Sequence, residues 1–90
     1  MAKNLHKGAT VYQVRDNTGV MLLHKGVVVW ASVAGKPCTV YWLKPTTSIL
    51  TGLSTKEYSV DLYRTPKRAI LGYLKRVKLD LEIQQDELEN

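Results

Sequence analysis

This 90-residue chain has a single cysteine, Cys38. No intrachain disulfide can form, so small disulfide-stapled secreted scaffolds are excluded. The first seven residues carry charge but no apolar stretch follows them, unlike a secretory leader. The longest uninterrupted apolar run, Val27–Ala31, is far short of the roughly 20 residues that cross a bilayer as a helix. Neither Asn4 nor Asn17 lies in a glycosylation sequon. Repeats and low-complexity tracts are absent. These absences lead us to expect one cytoplasmic domain with no membrane partner.

Catalytic signatures are missing too. The six glycines are isolated from one another, so none builds a phosphate-cradling loop, and no nucleophile elbow or zinc-binding helix motif occurs. Two histidines and one cysteine make three metal ligands at best, without ligand spacing. Asp16, Glu57 and Asp61 are scattered, and nothing in the sequence pairs them as acid and base. Cys38 reads as a small core residue and His24 as part of a turn. No enzyme, cofactor or metal is expected.

What is present is charge, unevenly placed. Residues 1–78 hold all thirteen Lys and Arg but only three acids, whereas residues 79–90 hold five acids and no base. A basic body with an acidic end points to a polyanionic or acidic partner, or to a body shielded by its own tail.

The first two-thirds reads as β. Thr10–Arg15 is rich in β-branched and aromatic residues, and Asp16-Asn17-Thr18-Gly19 supplies turn chemistry. Val20–Leu23 is a short apolar segment that His24-Lys25-Gly26 should break. Val27–Val33 and Cys38–Lys44 form a hairpin about Gly35-Lys36. A loop over 45–55 precedes a last strand, Glu57–Tyr63. Thr65-Pro66 is a helix start, with threonine as cap and proline at the first helical position. The helix should run to about residue 86, although Val77, Leu79, Leu81 and Ile83 also alternate as a strand would. The expected fold is therefore mainly β with one carboxy-terminal helix. An arm over 1–8, a small barrel of four or five short antiparallel strands over 9–63, and an amphipathic helix with an acidic, frayed end over 64–90 make one domain. In pattern and spacing, residues 8–63 resemble an SH3-type barrel. In size and charge the chain is also similar to bacteriophage accessory proteins.

Pairing across the predicted hairpin sets Val33 against Cys38, Ala31 against Val40 and Val29 against Trp42, an apolar inner face. Val28 with Leu43, Trp30 with Tyr41, and Ser32 with Thr39 then face outward. A loop one residue longer or shorter would change these assignments. The Trp30–Tyr41 pair is either a binding platform or the seat of the helix, whose stripe of Ile70, Tyr73, Leu74, Val77, Leu81 and Leu88 needs a home. The helix is also charged against its dipole, with Lys67 and Arg68 at its start and Asp86, Glu87 and Glu89 at its end. Leu79 and Ile83 form a second apolar stripe opposite the first.

Two functions fit these features. One is a non-catalytic adaptor, inhibitor or regulatory protein that binds an acidic protein through Trp30, Tyr41, Leu79 and Ile83, or pairs as a homodimer through the helix. The alternative is a nucleic-acid binder. It would use Lys36 and Lys44 at the hairpin ends and Arg64, Lys67, Arg68, Lys75 and Lys78 on the helix, with Thr65 and the free N–H groups of the helix start aiding an anion site. The acidic residues 80–89 would repel a nucleic acid lying along the helix and favour the protein partner.

Overall fold

The computed structural model describes residues 5–17, 20–31 and 36–89, without the side chains of Asn17 and of residues 79–89. Strands β1 (Thr10–Asn17), β2 (Val20–Trp30), β3 (Cys38–Lys44) and β4 (Ser54–Glu57) form one antiparallel sheet in that order. A 3-10 turn (Ser59–Asp61) and a helix, α1 (Pro66–Glu89), follow. The helix includes residues 77–83, so the charged positions between the aliphatic ones decide against a strand there.

The sheet does not close into the expected barrel. Residues after β4 turn back in the 3-10 segment, with Asp61 N–H donating to the Tyr58 carbonyl (3.0 Å) and Leu62 N–H to that of Ser59 (3.2 Å). The predicted closing strand, Glu57–Tyr63, shrinks to one antiparallel bridge between Tyr63 and Tyr12 on the free edge of β1. The N–H of each tyrosine donates to the carbonyl of the other, at 2.7 and 3.0 Å. Curvature still brings the two edges together: Arg15 of β1 reaches Glu57 of β4 at 2.8 Å.

His24-Lys25-Gly26 does not interrupt β2, which runs for 11 residues. Gly26 is there for packing. It pairs with Trp42, and a Cβ on it would lie 2.6 Å from Val40 Cγ1 and 2.8 Å from Trp42 Cε3. The β2–β3 register therefore differs from the expected one by an odd number of residues, and this inverts β2. Val28, not Val29, faces inward, opposite Val40. A bulge between Val28 and Trp30 then pairs Trp30 with Thr39 and leaves Trp30 on the outer face, where the sequence also put it. Residues 32–35, which hold the end of the predicted strand and Gly35 of the predicted turn, lie outside the described residues.

The core is one cluster: Ala9, Val11, Val28, Cys38, Val40, Trp42 and Leu62, with Leu5 and Leu50 packed against it. Cys38, Val40 and Trp42 are fully buried, as their alternation requires.

The helix starts as its sequence dictates. Thr65 Oγ1 accepts the N–H of Arg68 (3.2 Å) and the Thr65 carbonyl accepts that of Ala69 (3.2 Å). Its seat differs from the expected one. It packs mainly on β1, not over Trp30 and Tyr41. Among its described side chains Ala69 is buried, with Tyr73 and Val77 partly covered beside Gly72, while Ile70 (40% exposed), Leu71 and Leu74 (51%) stay largely in solvent. Gly72 accounts for this choice of face. A Cβ there would collide with the hydroxyl and ring of Tyr63, so only a small-residue face can approach the strand edge that Tyr63 caps.

Candidate functional site

The inner face changes character along its length. Its Val11–Val40–Trp42 half is dry. Its other half carries Gln13 and Arg15 of β1, His24 of β2 and Glu57 of β4. Glu57 is the centre. Its Oε1 accepts from Arg15 Nη2 (2.8 Å) and Gln13 Nε2 (3.3 Å), and its Oε2 accepts from Thr55 Oγ1 (2.8 Å). Thr55 Oγ1 in turn accepts Trp42 Nε1–H at 2.7 Å. The Arg15 guanidinium also lies 5.7 Å from the Trp42 ring centroid, a cation–π distance. Among the described residues, Gln13 Oε1 and Arg15 Nε are buried without a hydrogen-bond partner.

His24 is 2% exposed and stands edge-on to Trp42, 5.7 Å between centroids. Its Nδ1 lies 3.2 Å from the Leu22 carbonyl and its Nε2 2.7 Å from Ser48 Oγ. A carbonyl only accepts, so Nδ1 carries the proton and Nε2 takes the Ser48 hydroxyl hydrogen. Burial holds its pKa below the ordinary value, the Leu22 hydrogen bond opposes this, and nearby Arg15 adds to the lowering. The ring is thus neutral at pH 7. Ser48 Oγ also receives the Leu50 N–H (3.2 Å). A serine hydroxyl against a neutral imidazole is the first half of a nucleophile–base pair. Here it ties the 45–53 loop to β2, which brings Leu50 onto the core.

Between this wall, the 47–50 loop and the helix lies a half-open cavity of about 630 Å³. All three acids of residues 1–78 line it, although they are scattered in sequence. Glu57 is held by Arg15, Asp61 by Arg76 at 3.3 Å, and Asp16 accepts from Tyr73 Oη at 3.0 Å. That last bond raises the Tyr73 pKa. Two of the three carboxylates are therefore matched to arginines. Burial pushes the Cys38 thiol up, and its Sγ donates to the Glu57 carbonyl (3.2 Å). No group of three or more His, Cys, Asp or Glu suited to a metal occurs among the described residues.

The outer face is the opposite in kind. Strand alternation puts Met21, Leu23, Lys25, Val27, Tyr41, Leu43 and Lys56 on it, with Trp30 returned to it by the bulge. Trp30 is 70% exposed, and Met21, Leu23, Tyr41 and Leu43 are exposed as well. Of the two roles open to the Trp30–Tyr41 pair, that of helix seat is ruled out by where α1 packs. The two rings are not direct cross-strand partners, since Trp30 pairs with Thr39 and Tyr41 with Val27. Lys25 and Lys44 are directly opposite, and Lys56 faces Thr39. Like charges in cross-strand register oppose folding, by roughly 0.2–1 kcal/mol. Asp16, at the far end of β1, is the acid that alternation assigns to this face.

The predicted basic residues divide between two places. Lys44 is exposed at the end of β3 and Lys36 is exposed just before that strand begins. Arg64, Lys67, Arg68, Lys75 and Lys78 are exposed on or just before the helix, where Arg68 and Lys75 flank Tyr63 in a shallow cleft. Leu79 and Ile83 fall outside the described side chains. Leu43 is outward as expected, whereas Met21, Leu23, Lys25 and Lys56 were not placed on this face by the sequence, because their orientation depends on register. No helix among the described residues is long and apolar enough to cross a membrane. The chain matches no protein-family model, curated protein or solved structure.

Proposed function

We propose that the protein is a non-catalytic binding module whose outer sheet face docks an acidic protein segment, in the manner of an adaptor or regulatory subunit. The exposed Trp30, followed along the same face by Tyr41 and then Leu43, with Lys56 near its Trp30 end and Lys25 and Lys44 at the other, carries this reading. A large aromatic side chain left in solvent within an aliphatic patch marks a contact surface. The lysines add attraction for an acidic partner and set its orientation. Met21, Leu23 and Leu43 suit protein side chains better than bases, which stack on aromatic rings. The meander of four strands followed by the return of Tyr63 to β1 is compatible with an opened SH3-like architecture, and the size and charge fit a small accessory role like that of bacteriophage proteins.

Selection of displayed 12-residue peptides on the folded protein tests this. Acidic, leucine-containing sequences should be enriched on the wild type and lost on a Trp30→Ser/Leu43→Ser variant with an unchanged melting curve. Equal recovery on both overturns the reading. So does salt-sensitive binding of short DNA or RNA, combined with no peptide enrichment, if the same two substitutions remove it.

A further inference from the structure

We infer that the acidic segment which docks on the outer sheet face is the carboxy-terminal helix end of a second copy of this chain. This rests on the docking reading above and names its partner. The first observation is charge complementarity within one sequence. Residues 79–90 contain five acids, no base, and Leu79, Leu81, Ile83 and Leu88. The outer face offers the reverse: exposed Trp30, Tyr41 and Leu43, with Lys56 near the Trp30 end and Lys25 and Lys44 at the other.

The second observation is that these surfaces stand apart within one molecule. The helix is seated on β1, and β2 lies between β1 and β3. Among the described side chains, its contacts with the body come from Ala69, Tyr73 and Arg76, with the Gly72 backbone against Tyr63. It then continues without a break to Glu89, 24 residues in all, a rod of about 36 Å. The radius of gyration is 14.5 Å and the longest dimension 47 Å. A compact chain of this length has a radius near 12 Å. The chain is therefore more extended than a compact domain, and its unbroken helix is seated on β1, away from Trp30 and Tyr41.

Complementary surfaces at different places on one chain pair either reciprocally, as an isologous two-fold dimer, or head-to-tail, as a heterologous string. Self-association also gives a use to two features that oppose folding of the monomer: the Lys25–Lys44 pair and the acids at the helix end. The contact depends on charge, so salt weakens it.

Sedimentation equilibrium of the full chain is the test, at about 0.02 M and about 0.5 M salt, where screening lengths are about 20 Å and 4 Å. Concentration-dependent association at low salt, weakened about tenfold or more at high salt, is expected. Two variants separate the halves: Trp30→Ser/Leu43→Ser removes the face, and Asp80→Asn/Glu82→Gln/Asp86→Asn/Glu87→Gln/Glu89→Gln neutralises the tail. Each alone should be monomeric with a wild-type melting curve, and an equimolar mixture should recover a one-to-one heterodimer. A wild type that stays monomeric at low salt, a variant that still self-associates, or a mixture that stays monomeric overturns the inference. A monomeric wild type that selects acidic peptides leaves the docking reading standing, and one that selects none removes both.

Discussion

Replacing Gly26 by alanine is the sharpest test of how this sheet is assembled. A Cβ at that position would meet Val40 Cγ1 at 2.6 Å, Trp42 Cε3 at 2.8 Å and the Tyr41 carbonyl oxygen at 2.9 Å. Val40 and Trp42 are fully buried and the third neighbour is backbone, so none can swing into solvent. Overpacking a core by one methyl costs about 1–3 kcal/mol. The rigid neighbours place this case at the upper end, about 3 kcal/mol. Alanine recovers about 0.5–1 kcal/mol of the conformational entropy that glycine loses in a strand. The net loss is about 2 kcal/mol, or roughly 8–16 °C in melting temperature for a domain of this size. Thermal and urea unfolding followed by circular dichroism would measure it. In the double variant with Val40→Ala, the two losses should sum to less than their separate values, since part of the collision is relieved. If Gly26 sat in a turn, as its sequence context suggests, alanine would be neutral or mildly stabilising. A variant melting within about 2 °C of the wild type would therefore refute the pairing of Gly26 with Trp42.

Two further outcomes follow from the inner face. Burial keeps His24 neutral and its folded-state pKa below the unfolded value. Between those two values the unfolded chain binds the extra proton, so stability is full above about pH 6.5 and falls as pH drops below it, by at most about 1.4 kcal/mol per pH unit. Urea melts from pH 7.5 to 5 should have this slope, and His24→Gln should flatten it; an equal slope in the variant would assign it to other groups. Changing Glu57 to Gln leaves Arg15 without its ion-pair partner and disturbs the bonds from Gln13 and Thr55. Removing one side of such a buried network costs about 1–3 kcal/mol, read as a lower urea midpoint at pH 7, and a midpoint unchanged within error would mean the wall is not held by this carboxylate.

Local chemistry was legible in the sequence, and distant geometry was not. The cap at Thr65, the proline at 66, the helix through 77–83 and the inward set Cys38, Val40 and Trp42 follow from short-range patterns. The strand break assigned to His24-Lys25-Gly26 does not occur, because a glycine required by a facing tryptophan resembles one required by a turn. The odd register offset between β2 and β3 depends on a connection whose length sequence cannot supply, and a bulge then masks the error at Trp30. Apolar periodicity chose Ile70 and Leu74 for burial. The ring of Tyr63 selects the Ala69–Gly72–Tyr73 face instead, and nothing near residue 72 announces that ring. The convergence of Asp16, Glu57 and Asp61 depends on the curling of the whole sheet. The outward position of Tyr41 was readable from strand alternation and that of Trp30 came out right only through the bulge; Lys44 was singled out in the sequence, but Lys25 and Lys56 were not.

The single bridge between Tyr12 and Tyr63, with α1 settled beside it, has a consequence for biosynthesis. Among the described residues, the outer edge of the earliest strand is protected by segments translated some fifty residues later. A nascent chain carrying β1 through β4 presents that edge bare to neighbouring polypeptides, a template for unwanted strand pairing. Until Tyr63 and α1 are in place, correct assembly competes with such pairing.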